Sequence, residues 1–349
     1  MKVTGLLLGA FLVVLPTAQA SITFAATYDP SLTSADQLAI GSALTEIATY
    51  ITSPNNITVS LYFTAMTSGL GESFTSYAGV TYQQYYSNFS AVATQPNQIT
   101  ALNSLGPAPT ASTPDNPVNG TTQIDLTTAE ARNLGFADAG GILPNSNIAD
   151  ATGGGTFDSE IGLNTTITDP PGPNNGSNYG LESVANHEID EALGIGGSGS
   201  TIGGTGFFAN PGDLDLYRYT CGATIVGNTC SDPIRSYSTT QTTNPFSYFS
   251  INGGTTILSY FTQTTGADYG DWLSNCTSAT LCQANGLPNG FSPQVQDAFS
   301  TPGTNPQLGT NELLAFNAIG YQMTAPEPST FVLAGLGLAL GFGFIRRKK

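Results

Sequence analysis

The segment NHEIDEALGIGG, Asn186 to Gly197, sets the only histidine of the chain beside three acids. On a helix, His187 and Glu191 stand one turn apart on the same face, close enough to grip one metal ion. Zinc takes imidazole nitrogen and carboxylate oxygen at about 2.0–2.2 Å, so this pair supplies two ligands. Glu188, about 100° further round the helix, sits where a general base can accept a proton from water activated by the ion. Gly194 offers a left-handed stop for the helix.

Such a helix needs a scaffold, and the preceding sequence predicts one. SITFAATYD reads as a first strand, and SADQLAIGSALTEIATYITS as a helix with Ser34 as its N-cap. NITVSLYFTAM reads as a second strand, so the chain opens β-α-β with a helix packed on a mixed sheet. TYQQYYSNFSAVA is a further helix, residues 103–122 a surface loop, and TTAEARNLGF a short helix stopped by Gly135. GTFDSEIGLNTT reads as a strand at the edge of the sheet, where an extended peptide would pair with it. Beyond Gly194 the composition turns glycine-rich and predicts a loop-rich lobe, with a hairpin around INGG and a last helix in ELLAFNAIGYQM. The expected fold class is α+β: a mixed β-sheet with the active-site helix, then a loop-rich C-terminal lobe.

Composition narrows the partners. The chain has 349 residues and a formal net charge of −16. Between the two termini its only basic residues are Arg132, Arg218 and Arg235, with no lysine. Such a surface repels phosphate backbones, which excludes nucleic acid as a partner. Apolar residues make up 40 %, which argues against wholesale disorder.

Both termini read as processing segments. Residues 1–20 carry Lys2, an apolar run and an Ala18-Gln19-Ala20 ending, the anatomy of a signal peptide cut by signal peptidase. At the other end, Pro326, Glu327 and Pro328 precede an apolar run, Ser329 to Ile345, and the basic residues Arg346 to Lys349. This three-part tail, residues 326–349, resembles the PEP-CTERM sorting signal of Gram-negative bacteria. The resemblance implies exosortase processing, transient membrane association through the tail, and a secreted or cell-surface product. In that oxidising compartment Cys221, Cys230, Cys276 and Cys282 are expected as disulfides, most simply 221–230 and 276–282.

The motif H-E-x-x-E-x-x-G looks like the zincin signature H-E-x-x-H-x-x-G-x-x-H, with Glu191 for the second histidine and Gly197 at the third ligand position. The chain more closely resembles a family of bacterial metalloproteases that carry an HEI-x-E helix and often a PEP-CTERM tail. The shared strings here are LDLYRY, YFSINGGTT, GADYGDW and LLAFNAIGY, and the resemblance runs from about Leu126 to Met323. It implies a zincin-like fold with an N-terminal sub-domain over residues 21–195 and a C-terminal sub-domain over 196–325. It implies a zinc-dependent endopeptidase acting on protein or peptide substrates, with Glu188 catalytic. A third ligand is needed, and with no second histidine it must be a carboxylate or something weaker. Asp213 and Asp215 of GDLDLYRY are the candidates. Asp215 is preferred because it is the acid of the family-like string. Tyr217, Tyr219 and Arg218 are candidate oxyanion stabilisers. A site with one imidazole and two carboxylates is less zinc-selective, so manganese and calcium compete. The alternatives are a non-catalytic zincin-like surface or matrix protein, and a calcium-binding adhesin using the acids at 213 and 215.

Overall fold

The computed structural model describes residues 21–137, 157–202, 210–223, 225–237, 247–274 and 293–324. The signal-peptide segment, Cys276, Cys282 and the tail from Ala325 onward lie outside the described residues. Among the described residues, no helix is long and apolar enough to cross a membrane.

The fold is mixed α/β, with several small sheets and six α-helices among the described residues. The main sheet has strand order β1-β3-β7-β4. Strand β1 (Ile22–Tyr28) pairs in parallel with β3 (Ile57–Ala65), as it must when the intervening chain forms a crossover helix, α1 (Ser34–Tyr50). In β3 the residues Ile57, Val59, Leu61 and Phe63 alternate into the core. On α1 the buried residues Ala39, Ile40, Ala43, Leu44 and Ile47 form the stripe that covers that face. The helix is capped by Thr33, one residue before the expected Ser34, because Thr33 and Asp36 complete a reciprocal capping box.

Strand β7 (Ser159–Leu163) pairs in parallel with β3 on one side and antiparallel with β4 (Gly71–Thr75) on the other. The expectation that β7 forms the edge is therefore corrected. The edge strand is β4, a Gly- and Ser-containing stretch whose short, partly exposed pattern carries little strand signal.

Between them come β5 (Tyr77–Thr81), paired with β6 (Gln123–Thr127), and the helices α2 (Tyr82–Val92), α3 (Pro96–Ser104) and α4 (Thr128–Asn133). Helix α5 (Leu181–Ala192) packs on α1 and across β4 and β7. Strands β10 (Arg218–Cys221), β11 (Pro233–Arg235), β12 (Tyr248–Phe249) and β13 (Ser259–Tyr260) then form a second, antiparallel sheet of order β11-β10-β12-β13, and the INGG hairpin joins β12 to β13. Helix α6 (Thr310–Ala318) packs on α3, and β14 (Gln322–Met323) pairs with β2 (Ile51–Thr52), so the end of the described chain returns to its beginning. One apolar cluster runs from Ile22 to Tyr321, and a smaller one gathers Tyr219, Tyr248 and Ile257 around the Cys221–Cys230 disulfide.

Candidate metal centre

Helix α5 delivers the site. Its first turn has no side-chain cap of its own, and Asn305 supplies one from a distant loop by accepting the Ser183 amide at 3.1 Å. Gly180 makes room for this: a Cβ there would lie 2.6 Å from Asn305 Cγ. The helix stops at Gly194, whose φ of 102° is left-handed as expected.

Three ligand-type side chains converge, and they are His187, Glu191 and Asp271. His187 Nε2 is 3.7 Å from Glu191 Oε1 and 3.8 Å from Asp271 Oδ2. Those separations suit an ion held between them at about 2.2 Å. His187 Nδ1 donates to the carbonyl oxygen of Val295 at 2.9 Å, which turns Nε2 toward the two carboxylates and puts the lone pair there whenever the ring is neutral. Glu191 is oriented twice: Ser73 of β4 donates to Oε2, and the Gly197 amide donates to Oε1 at 3.1 Å. Gly197 thus serves through its backbone, and a Cβ at that position would collide with Glu191 Oε1 and come within 3.0 Å of Asp268 Cβ.

Glu188 lies against Gly71 of β4, beside this group and buried. Glu72 and Asp268 stand exposed at the rim. Among the described residues, the only cation paired with Glu191 and Asp271 is the imidazole. Burial pushes the His187 imidazolium down, but Asp271, Glu188 and Glu191 outweigh it and lift its pKa to about 10. Burial, with repulsion from Asp271, Asp268 and Glu72, raises Glu188 to about 8 against the pull of His187. Burial likewise raises Asp271 to about 6 and puts Glu191 well above the carboxylate range. Acids crowded in this way favour a bound cation or retained protons.

Neither Asp213 nor Asp215 belongs to this group. Asp215 is fully buried and accepts from Ser200 at 2.6 Å and from the Thr201 and Gly212 amides at 3.0 Å each. Its Oδ1 is 3.6 Å from Arg218 Nε. Arg218 in turn donates to Ser247 and to the Tyr269 carbonyl, with its guanidinium 3.7 Å over the Phe261 ring. The LDLYRY string therefore braces the loop that carries Asp271. Asp213 faces Glu130 instead, and burial raises its pKa to about 7. Tyr217 is buried beside Tyr85 and Asp213, and Tyr219 packs in the disulfide cluster, so neither stands at the metal group.

Asp271 belongs to the GADYGDW string, which was quoted for family likeness and not as a ligand source. Val295 and Gln296 were missed altogether. The QVQD segment has no periodicity or spacing that ties it to residue 187, some 108 positions earlier. Of the cysteine pairings, 221–230 is present with Cα atoms 5.8 Å apart.

Residues 324–348 match the PEP-CTERM protein-sorting motif. That motif marks an exosortase-processed protein of the cell surface or extracellular space of a Gram-negative bacterium. No curated protein and no solved structure matches the chain.

Proposed function

We propose that the exported chain is a metal-dependent peptide-bond hydrolase of zincin-like build. His187, Glu191 and Asp271 hold a divalent ion, zinc or a harder competitor such as manganese, and Glu188 is the general base. The observation that carries this reading is the convergence of one imidazole nitrogen and two carboxylate oxygens within 4.8 Å of one another, on a helix and a braced loop. Support for the zincin-like build comes from the antiparallel edge strand β4 lying along the helix that carries His187.

The donor set fits such an ion, because Nε2, held through Nδ1, and two buried carboxylate oxygens face one another closely enough to share it. When bound, the ion polarises the scissile carbonyl and makes water a nucleophile at neutral pH. The chain's own residues do the rest. Val295 holds the imidazole tautomer, and Ser73 and Gly197 aim Glu191. Glu188 takes a proton on its carboxylate and passes it to the leaving amine. A positive charge nearby lowers the raised Glu188 pKa toward the range a base needs.

Glu188→Gln tests the mechanism. It is expected to abolish peptide hydrolysis while leaving ion content and folding unchanged; undiminished hydrolysis would sink the reading. A non-catalytic surface protein is the second reading. It draws on the arginines: Arg132, Arg218 and Arg235 each donate to backbone carbonyls elsewhere and do not face the site. Ion binding without hydrolysis of any peptide pool would favour it.

A further inference from the structure

Resting on the metal-centre reading, we propose that Gln296 is a fourth protein donor to the centre through its side-chain Oε1, and that it tilts the site toward oxygen-preferring ions such as Mn2+. Gln296 is fully buried, and its amide touches two of the three ligand groups. Its Nε2 is 3.3 Å from His187 Nε2 and 3.1 Å from Asp271 Oδ1. Its Oε1 is buried and has no hydrogen-bond partner among the described residues.

What sits on His187 Nε2 decides which way the amide faces. Without a cation there, the amide nitrogen donates to Asp271 Oδ1 and lies beside Nε2. With a cation on the lone pair, an N–H facing it is repelled. A half-turn about the last side-chain bond exchanges nitrogen for oxygen with almost no change in shape. The oxygen then points at the ion, and the amide nitrogen takes the other position.

The backbone is cut away for this side chain. Gly196, at a left-handed φ of 64°, packs directly on it: a Cβ there would collide with Gln296 Nε2 and come within 3.0 Å of Cγ. The Gln296 amide N–H is 3.4 Å from Glu312 Oε1, and its carbonyl accepts from the Trp272 amide at 2.8 Å, so the residue cannot drift. The donor set becomes one nitrogen and three oxygens. Oxygen donors suit manganese, magnesium and calcium better than zinc.

The test is calorimetric titration of the metal-stripped protein with Mn2+ and Zn2+, comparing wild type, His187→Ala, Gln296→Leu and Gln296→Glu. Wild type is expected to bind one ion, and His187→Ala to lose it. Gln296→Leu should bind Mn2+ at least tenfold more weakly, with a smaller loss for Zn2+. Gln296→Glu keeps an oxygen donor and should bind Mn2+ at least as tightly as wild type. Unchanged or tighter Mn2+ binding by Gln296→Leu would overturn the proposal, because the amide would then merely plug the site. Should Gln296→Leu fail to fold, a tenfold loss in Gln296→Glu overturns it equally. A wild type with no His187-dependent ion would instead bring down the metal-centre reading, and this inference with it.

Discussion

Asp215 Oδ1 lies 3.6 Å from Arg218 Nε in the core, and the same guanidinium donates to the carbonyl of Tyr269, two residues before Asp271. The acid of the family-like LDLYRY string is thus a brace, and it steadies a loop whose own acid stands beside His187 and Glu191. The two acids predict opposite phenotypes. Asp215→Ala leaves a buried guanidinium unpaired and should cost about 3–5 kcal/mol in urea denaturation. Asp271→Asn relieves repulsion among buried acids, so it should keep or raise stability while weakening ion binding at least tenfold. Equal destabilisation by both changes would refute the division of roles.

Gly71 tests the placement of Glu188. A methyl group there would collide with the Glu188 carboxylate, 2.9 Å from its Cδ, and the atoms nearest to it all belong to Glu188. Gly71→Ala is expected to lower hydrolysis about 100-fold, the usual effect of misplacing a catalytic group by about 1 Å. Ion affinity should stay within about threefold of wild type. Hydrolysis unaffected by the methyl would mean that Glu188 acts elsewhere or not at all.

The Glu130–Asp213 pair predicts a pH dependence of stability. Burial raises both carboxyls, Asp213 to about 7 and Glu130 well above its usual range, and the two press together so that one must stay protonated to bond the other. The folded chain therefore keeps protons that the unfolded chain releases near pH 4. Their contribution is fully present below about pH 4 and is lost as pH rises through about 7. The slope is about 1.4 kcal/mol per pH unit for each proton. Asp213→Asn cannot titrate at that position and should flatten this slope in denaturation midpoints between about pH 4 and pH 7. An unchanged slope in the variant would show that the pair does not hold the proton.

How much of this was legible in the sequence differs from element to element. The strands β1 and β3 and the helices α1 and α5 were visible because their apolar spacing repeats with a fixed period, a local property. The pairing of His187 with Glu191 was visible for the same reason, since helix geometry alone sets residues four apart on one face. Cys221 and Cys230 were close enough in sequence for their pairing to be the simplest choice. The edge strand β4 was not visible, because Gly71 and Ser73 have low strand preference and take their conformation from β7.

What the sequence determined by itself was the pairing of His187 with Glu191 on one helix face and the export signals, all written in adjacent residues. The tertiary structure decided which acid stands beside that pair: Asp271 rather than Asp213 or Asp215, although those two lie closer in sequence. The physical reason is that Arg218 claims Asp215 and Glu130 claims Asp213. Only the folding of distant loops around α5 brings Asp271, Val295 and Gln296 against His187. Contacts between residues 84 to 109 positions apart have no local spacing rule, and only packing selects them.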